Sequence, residues 1–232
     1  MKERVPPAVK RPRKNNPALL MLAAFLAAGL LWAAFALDAP VRAWQLAGQK
    51  SAWTEFAAAC SRYGDWPPLA AAIVIAGIIA RYFKARRTLA MIFTMLAASL
   101  LDGAIVHPLR AATGRARPSK KIEEGWYGPR RDGKWIAGRH AFSSFPSAHT
   151  TAAAAMATPL FLAGWRAGLC GWIAVGLIGW SRIYLGVHHP SDVAAGAILG
   201  WVCGCAAMRS PVFRRWTWRI AGRATDSPVR TV

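Results

Sequence analysis

Ser181-Arg182-Ile183-Tyr184-Leu185-Gly186-Val187-His188-His189-Pro190-Ser191-Asp192 joins two apolar runs, residues 168–185 and 191–208. A guanidinium, an imidazole and a carboxylate therefore sit where one hydrophobic segment hands over to the next. Ionisable groups at such places are costly unless they are paired or used. Two earlier pieces have the same character. Arg110-Ala111-Ala112-Thr113-Gly114-Arg115-Ala116-Arg117-Pro118 follows the run at 88–107, and Pro146-Ser147-Ala148-His149 opens the run at 147–164. If the runs cross a bilayer in alternation, all three pieces fall on one face.

The composition supports a membrane reading. The 232 residues are 55% hydrophobic and yet carry a formal net charge of +20. A soluble domain this basic would point to nucleic acid. Here the apolar residues lie in long uncharged runs with the cations between them, the pattern of a polytopic membrane protein, and no nucleic-acid partner is expected. Cys60, Cys170, Cys203 and Cys205 form no C-x-x-C pair and read as packing residues.

Runs at 17–37, 67–83, 88–107, 147–164, 168–185 and 191–208 predict an all-α fold of six transmembrane helices. The segment 40–63 mixes Trp44, Leu46, Trp53 and Phe56 with Arg42, Lys50 and Glu55, and predicts an interfacial helix after the first span. The first run follows a 16-residue basic lead and is too long for a cleaved signal, so it reads as a retained helix. The expected organisation is a basic tail (1–16), a membrane domain (17–208, with its signature core at 88–208) and a second basic tail (209–232). The face holding both termini would carry 17 of the 30 Lys and Arg residues but only Glu3 and Asp226 of the 10 acidic ones. The positive-inside bias then makes the termini cytoplasmic and turns the three pieces outward, in a plasma or inner membrane.

The residue types on that face suit an anion. Arginine binds phosphate oxygens two at a time, and Arg110, Arg117 and Arg182 are placed to surround a phosphoryl group. Ser147 precedes an apolar helix and reads as its N-cap, where free backbone N–H groups also favour phosphate. Arg115, Lys120 and Lys121 read instead as lipid-headgroup anchors. Pro190 suits the first turn of a helix, so Asp192 can hold one nitrogen of His188 and leave the other as a nucleophile. His149 is then the general acid for the leaving group. His189 reads as lining, while His107 and His140 are weaker candidates. Asp102, near the end of the third run, is expected either to pair with a site arginine or to be structural. No H-E-x-x-H or Cys/His cluster is present, and three arginines repel cations, so no metal and no cofactor are expected.

The three pieces resemble the signature of the type 2 phosphatidic acid phosphatase superfamily: Lys-x6-Arg-Pro, Pro-Ser-Gly-His and Ser-Arg-x5-His-x3-Asp. That family includes bacterial lipid phosphatases and vanadium haloperoxidases. The third piece fits in full; Ala148 replaces the usual glycine in the second, and Arg110 replaces the usual lysine in the first. The resemblance covers about residues 88–208. It implies His188 as nucleophile, Asp192 as its orienting acid and His149 as general acid. It implies phosphate binding by Arg110, Arg117, Ser147, the backbone N–H of Ala148, and Arg182. Ala148 is tolerable there unless its φ must be positive.

The implied activity is hydrolysis of a lipid-linked phosphate monoester or pyrophosphate through a phosphohistidine. In a bacterium the candidates are undecaprenyl pyrophosphate, phosphatidylglycerophosphate, phosphatidic acid and lipid A. Phosphoryl transfer to another lipid and a vanadium-dependent haloperoxidase remain as alternatives. The loop 119–145, with Trp126, Tyr127, Trp135 and Phe142 among Arg130, Arg131, Lys134 and Arg139, is expected to select the substrate. Oligomeric state is left open.

Overall fold

The structure, a computed structural model, describes residues 16–47, 52–118 and 122–210. Most of both basic tails, together with Lys120 and Lys121, lies outside the described residues. Helix α1 (Pro17–Ala36) starts where the Asn16 side chain accepts from the Ala18 N–H at 3.0 Å, with Pro17 in the first turn. This satisfies one of the donors that a helix start leaves open. Its 20 residues are apolar on every side, and Phe25 and Trp32 are 75% and 76% exposed. Such a surface suits hydrocarbon rather than water.

Three helices follow: α2 (Asp38–Ala47), α3 (Trp53–Tyr63) and α4 (Trp66–Tyr82). Asp65 caps α4 by accepting from the Trp66 N–H at 2.8 Å. Helix α5 (Arg86–Thr113) is the longest at 28 residues. A small hairpin of β1 (Arg130–Arg131) and β2 (Lys134–Trp135) decorates the loop that follows. Helix α6 (Ala148–Ala157) continues as a 3-10 turn (Thr158–Leu162), and α7 (Trp165–Tyr184) and α8 (Pro190–Arg209) complete the fold.

The fold is all-α, apart from that hairpin, but six transmembrane helices are not found. Among the described residues only α1, α5 and α8 are long and apolar enough to span a bilayer, or four spans if α3 and α4, bent by 60°, count together. The reasons are local. The run at 147–164 is helical for only 10 residues before Pro159 enters the tighter turn. Helix α7 dilutes its apolar content with Arg166, Arg182, three tryptophans and four glycines. Helix α4 stops at 17 residues. The interfacial segment expected over 40–63 is likewise two helices, α2 and α3, and Asp38 at the head of α2 is buried.

The centre of the bundle is built from small residues. All of α6 after His149 is buried, and α8 meets it through Gly196 against Ser147, Thr150 and Thr151, Gly200 against Thr151, Ala154 and Ala155, and Gly204 against Thr158 of the 3-10 turn. That spacing of four puts the glycines on one stripe, letting the two backbones approach as in other small-residue helix pairs. A Cβ on Gly200 would stand 2.3 Å from the Thr151 carbonyl oxygen. Because that atom is backbone, Gly200→Val should force α6 away from α8 at a cost of about 1–3 kcal/mol or more. The expected result is a lower thermal midpoint and loss of monodisperse protein in detergent. An unchanged midpoint would show that the contact is slack.

Every helix end near the Ser181–Asp192 stretch meets at one pole. These are the C-terminal ends of α1, α5 and α7 and the N-terminal ends of α4, α6 and α8, tied together by the contacts described next. Gln45 of α2 joins them by donating to the carbonyls of Ile183 and His188 at 2.7 and 3.0 Å.

Candidate active site

Helix α8 begins at Pro190 with His189 as N-cap. Asp192, in the first turn, receives the His189 backbone N–H on Oδ2 at 2.8 Å. The same oxygen lies 3.3 Å from His188 Nδ1 and accepts from Ser144 Oγ at 2.5 Å. Nδ1 of His188 is thereby engaged, and Nε2 is the nitrogen left for chemistry. The ring is almost fully buried. Burial pushes its pKa down to about 3 against the opposing hydrogen bond and charge of Asp192, with Arg117 and Arg182 adding to the fall. The imidazole is neutral at physiological pH, as a nucleophile must be.

The other oxygen of Asp192 belongs to Arg115. Arg115 Nη1 donates to Asp192 Oδ1 at 2.7 Å and to Ser191 Oγ at 2.6 Å, and Nη2 donates to Asp38 Oδ2 at 2.6 Å. Asp38 in turn accepts from the Ser191 N–H at 2.9 Å and from its hydroxyl at 2.5 Å. Arg115 is 3% exposed. The expected headgroup anchor is therefore a buried structural cation, turned inward because two buried carboxylates need it. Trp126 covers its guanidinium, with the ring centroid 4.7 Å away, and Phe35 and Phe145 flank it at 5.6 and 5.9 Å. Trp126 thus shields this network, whereas Trp135 lies exposed beside Arg130 on the hairpin.

Gly114 makes the turn that delivers Arg115. It closes α5 in the left-handed region (φ 55°), its N–H donating to the Arg110 carbonyl at 3.2 Å. A Cβ there would lie 1.9 Å from the Gly128 oxygen, so glycine is required twice over.

The three predicted arginines approach from three elements. Arg110 of α5 donates through Nε and Nη2 to the Ser143 carbonyl at 3.0 and 2.5 Å. Arg182, on the last turn of α7, bonds Ser61 of α3 through Nη1, and its buried Nε has no partner among the described residues. Arg117 is held by its backbone, which donates to the Ala141 carbonyl at 2.9 Å, while its buried Nε and Nη1 have no partner among the described residues. Burial, and then the cations of Arg110 and Arg182, push the Arg117 pKa down to about 10 against Asp192. Desolvated donors beside like charges are a poor resting arrangement and a good anion receptor. His140, exposed on a 3-10 turn, is lowered chiefly by Arg117 and then by burial.

His149 stands one residue inside α6, only partly buried, with Nε2 3.3 Å from Asp65 Oδ1. Ser147 occupies the N-cap position of α6 but its side chain makes no capping bond. Its hydroxyl accepts from Thr150 Oγ1 at 3.1 Å, and its N–H donates to the Asp192 carbonyl at 3.0 Å. The first-turn N–H groups of α6 are thus left to a ligand. Ala148 is helical and not among the residues with positive φ, so its methyl is accommodated.

His189 is fully buried, and His107 is exposed on α5. Asp102 is buried, and its Oδ1 has no partner among the described residues, so of its two expected roles the pairing with a site arginine is not formed. Asp38, Ser144 and Asp65 were not anticipated from sequence. Asp65-Trp66-Pro67 does carry the signal of a helix start, but its partner His149 is 84 residues away by number and nothing local announces it.

Comparison with known proteins agrees with this arrangement. The model of the PAP2 superfamily matches residues 87–216, more than half of the chain. A lipid A 1-phosphatase of Rhizobium etli is 35% identical over 106 residues, covering 44% of this chain and 43% of that protein. The bacitracin transport permease protein BcrC of Bacillus licheniformis is 39% identical over 75 residues, 32% of this chain and 34% of that protein. The chain thus spans well under half the length of these relatives. Among solved structures, Aquifex aeolicus LpxE superposes with a TM-score of 0.57 at 23% identity, over 75% of this chain and 96% of that one. A PAP2-type phosphatidylglycerolphosphate phosphatase from Bacillus subtilis gives 0.56 at 21%, over 83% and 93%. At these identities the likeness is one of fold. With all three signature pieces inside the matched region, the chain belongs to the PAP2 superfamily of type 2 phosphatidic acid phosphatases, hydrolases of the membrane.

Proposed function

We propose that this protein hydrolyses a lipid-linked phosphate monoester or pyrophosphate at the outer face of the membrane, through a phosphohistidine on His188. The observation that carries the reading is a buried, neutral His188 held by Asp192 beside the unpartnered donors of Arg117 and Arg182. In the first step Nε2 attacks phosphorus and the bond to the lipid oxygen breaks, while Asp192 stabilises the imidazolium through Nδ1–H. His149 gives its proton to the departing oxygen; burial and then Arg182 push its pKa down to about 4 against the opposing Asp65 carboxylate, so the negative charge of the bound substrate has to help bring the proton to the ring. His149 then removes a proton from water, which attacks phosphorus and breaks the P–N bond. Arg110, Arg117, Arg182 and the α6 N–H groups hold the charge that develops on the phosphoryl oxygens, work that three cations do without a divalent metal.

Phosphate release from a panel of purified lipid phosphates tests this directly. Turnover in the presence of chelator, inhibited by orthovanadate, is expected. A strict requirement for added zinc or magnesium, or bromide oxidation dependent on vanadate in place of hydrolysis, would overturn it. Lipid A is the substrate that the Rhizobium relative's name suggests, and undecaprenyl pyrophosphate completes the panel as the pyrophosphate candidate.

The orientation rests on the ends facing away from the site, which among the described residues carry Arg81, Lys84, Arg86, Arg87, Arg166 and Arg209 but no acidic residue. Short basic connections stay cytoplasmic. In a background lacking the four native cysteines, Lys134→Cys on the hairpin should react with an impermeant thiol reagent in intact cells. Labelling only after lysis would reverse the orientation.

A further inference from the structure

Asp65 is fixed in place by the start of α4. Its Oδ1 accepts the Trp66 N–H at 2.8 Å, and the Trp66 indole is tied to α5 by donating to Ser99 Oγ at 2.8 Å. The same Oδ1 lies 3.3 Å from His149 Nε2. The Asp65 side chain is 49% exposed, and an ion pair so open to solvent adds little to stability. Its interest lies in what it does to the ring. At 3.3 Å the contact is longer than the about 2.7–2.9 Å of a charge-assisted hydrogen bond, so the carboxylate acts mainly through its charge. The Nε2–H remains able to turn to a leaving oxygen.

A groove of about 550 Å³ opens beside this pair, between α4, α5 and α6, a size that suits a small-molecule site. Asp65, His149 and Arg110 line it, as do Leu100 and Gly103 earlier on α5. Because Arg110 and His149 belong to the phosphate site too, the groove offers the departing lipid oxygen a way out past Asp65. The charges around His149 come from every side. Arg182 of α7, Arg117 of the loop after α5 and Arg110 of α5 oppose a protonated ring, and Asp65 supports it. Asp102 and His107 of α5 line the same groove, while Asp192 of α8 is committed to His188 and Arg115. Asp65 also acts on the Arg182 guanidinium, ahead of Arg110. A negative charge there competes with phosphate for the same cation.

We propose that Asp65 is a positioning residue for the acid step: it holds His149 Nε2 at the head of the groove, favours the charged ring once phosphate is bound, and weakens phosphate at Arg182. The inference rests on the phosphatase reading above and deepens its account of the leaving group. The proton passes from Nε2 to the lipid oxygen as the P–O bond breaks, and the neutral ring later takes a proton from the attacking water. Asp65 itself neither gives nor gains one.

Asp65→Asn in the full-length protein is a clean probe, because asparagine caps a helix as well as aspartate does and only the charge is lost. With His149 as acid, kcat falls as pH rises through the pKa of the ring in the substrate complex. Losing a carboxylate at this distance should move that limb to lower pH by about one unit or more. Near neutral pH, kcat/KM for the lipid phosphate of the panel that is hydrolysed fastest should fall about tenfold relative to p-nitrophenyl phosphate, whose leaving group needs no acid. Orthovanadate should inhibit more strongly than in the wild type. A variant that is merely less well folded would bind orthovanadate no better and would leave the limb where it was. An unmoved limb with an unmoved ratio, or weaker orthovanadate inhibition, would overturn this inference alone. If the wild-type protein releases phosphate from no lipid phosphate and none from p-nitrophenyl phosphate, the phosphatase reading falls and this inference with it.

Discussion

Replacing His188 by alanine is expected to lower turnover by about 10⁴-fold or more, the scale seen when a covalent nucleophile is removed and only the binding groups remain. The geometry gives the reason. Among the described residues no other ring nitrogen bonds Asp192, and His189, its neighbour, is buried at the N-cap of α8. Rapid quenching during turnover of labelled substrate should trap an acid-labile, base-stable phosphoenzyme in the wild type and none in His188→Ala. His149→Ala should keep the ability to form the intermediate from a substrate with a good leaving group but lose about 10²- to 10⁴-fold with a poor one. The pH profile supplies an independent check. With His188 pushed down to about 3, falling pH leaves the nucleophile unprotonated until far below the ordinary histidine value, so it cannot itself produce an acid limb in kcat/KM near pH 6.5. Trapped phosphoenzyme in His188→Ala would remove His188 from the mechanism.

Much of this site is legible in the sequence because its motifs are local. His188, Pro190 and Asp192 lie within one turn of a helix start, so proline chemistry and a spacing of four suffice to place a carboxylate against an imidazole. Ser147 and His149 are similarly bound to the start of α6. The count of membrane spans is not legible in the same way, since an apolar run does not say whether it is one helix. The run at 147–164 has the composition of a span, yet Pro159 divides it into a buried alanine helix and a 3-10 turn. Its burial comes from the glycine stripe of α8 rather than from lipid. Arg115 departs from the anchor role its sequence context suggests for a related reason. Between an aromatic loop and a membrane, an arginine looks like an anchor. What draws it inward is Asp38, 77 residues away, and only the folded chain brings the two together.

That pairing makes Arg115 the position with the largest expected effect outside the reacting groups. Asp38 and Asp192 are both buried, and Ser191 bonds Asp38 while Arg115 bridges all three. Arg115→Ala leaves two carboxylates in a dry interior with no cation, a change that costs about 3–5 kcal/mol where buried pairs are broken. The fold itself is at risk in that variant, so the informative one is Arg115→Lys. An ammonium keeps the charge but is a point donor on a flexible stem, unable to present a planar fork to Asp192, Ser191 and Asp38 together. The protein should fold with a modestly lower thermal midpoint. The Asp192 carboxylate, still held on Oδ2 by Ser144 and the His189 N–H, then loses the fixed partner on Oδ1 that completes its alignment on His188. The loss should appear in kcat, about 10- to 100-fold as for a displaced supporting residue, with KM little changed because Arg115 is not placed to touch the phosphate. Asp38→Asn in the Arg115→Ala background should restore part of the stability by removing one stranded charge, and none of the turnover. A rise in KM at constant kcat in Arg115→Lys would instead put the guanidinium among the substrate's own ligands.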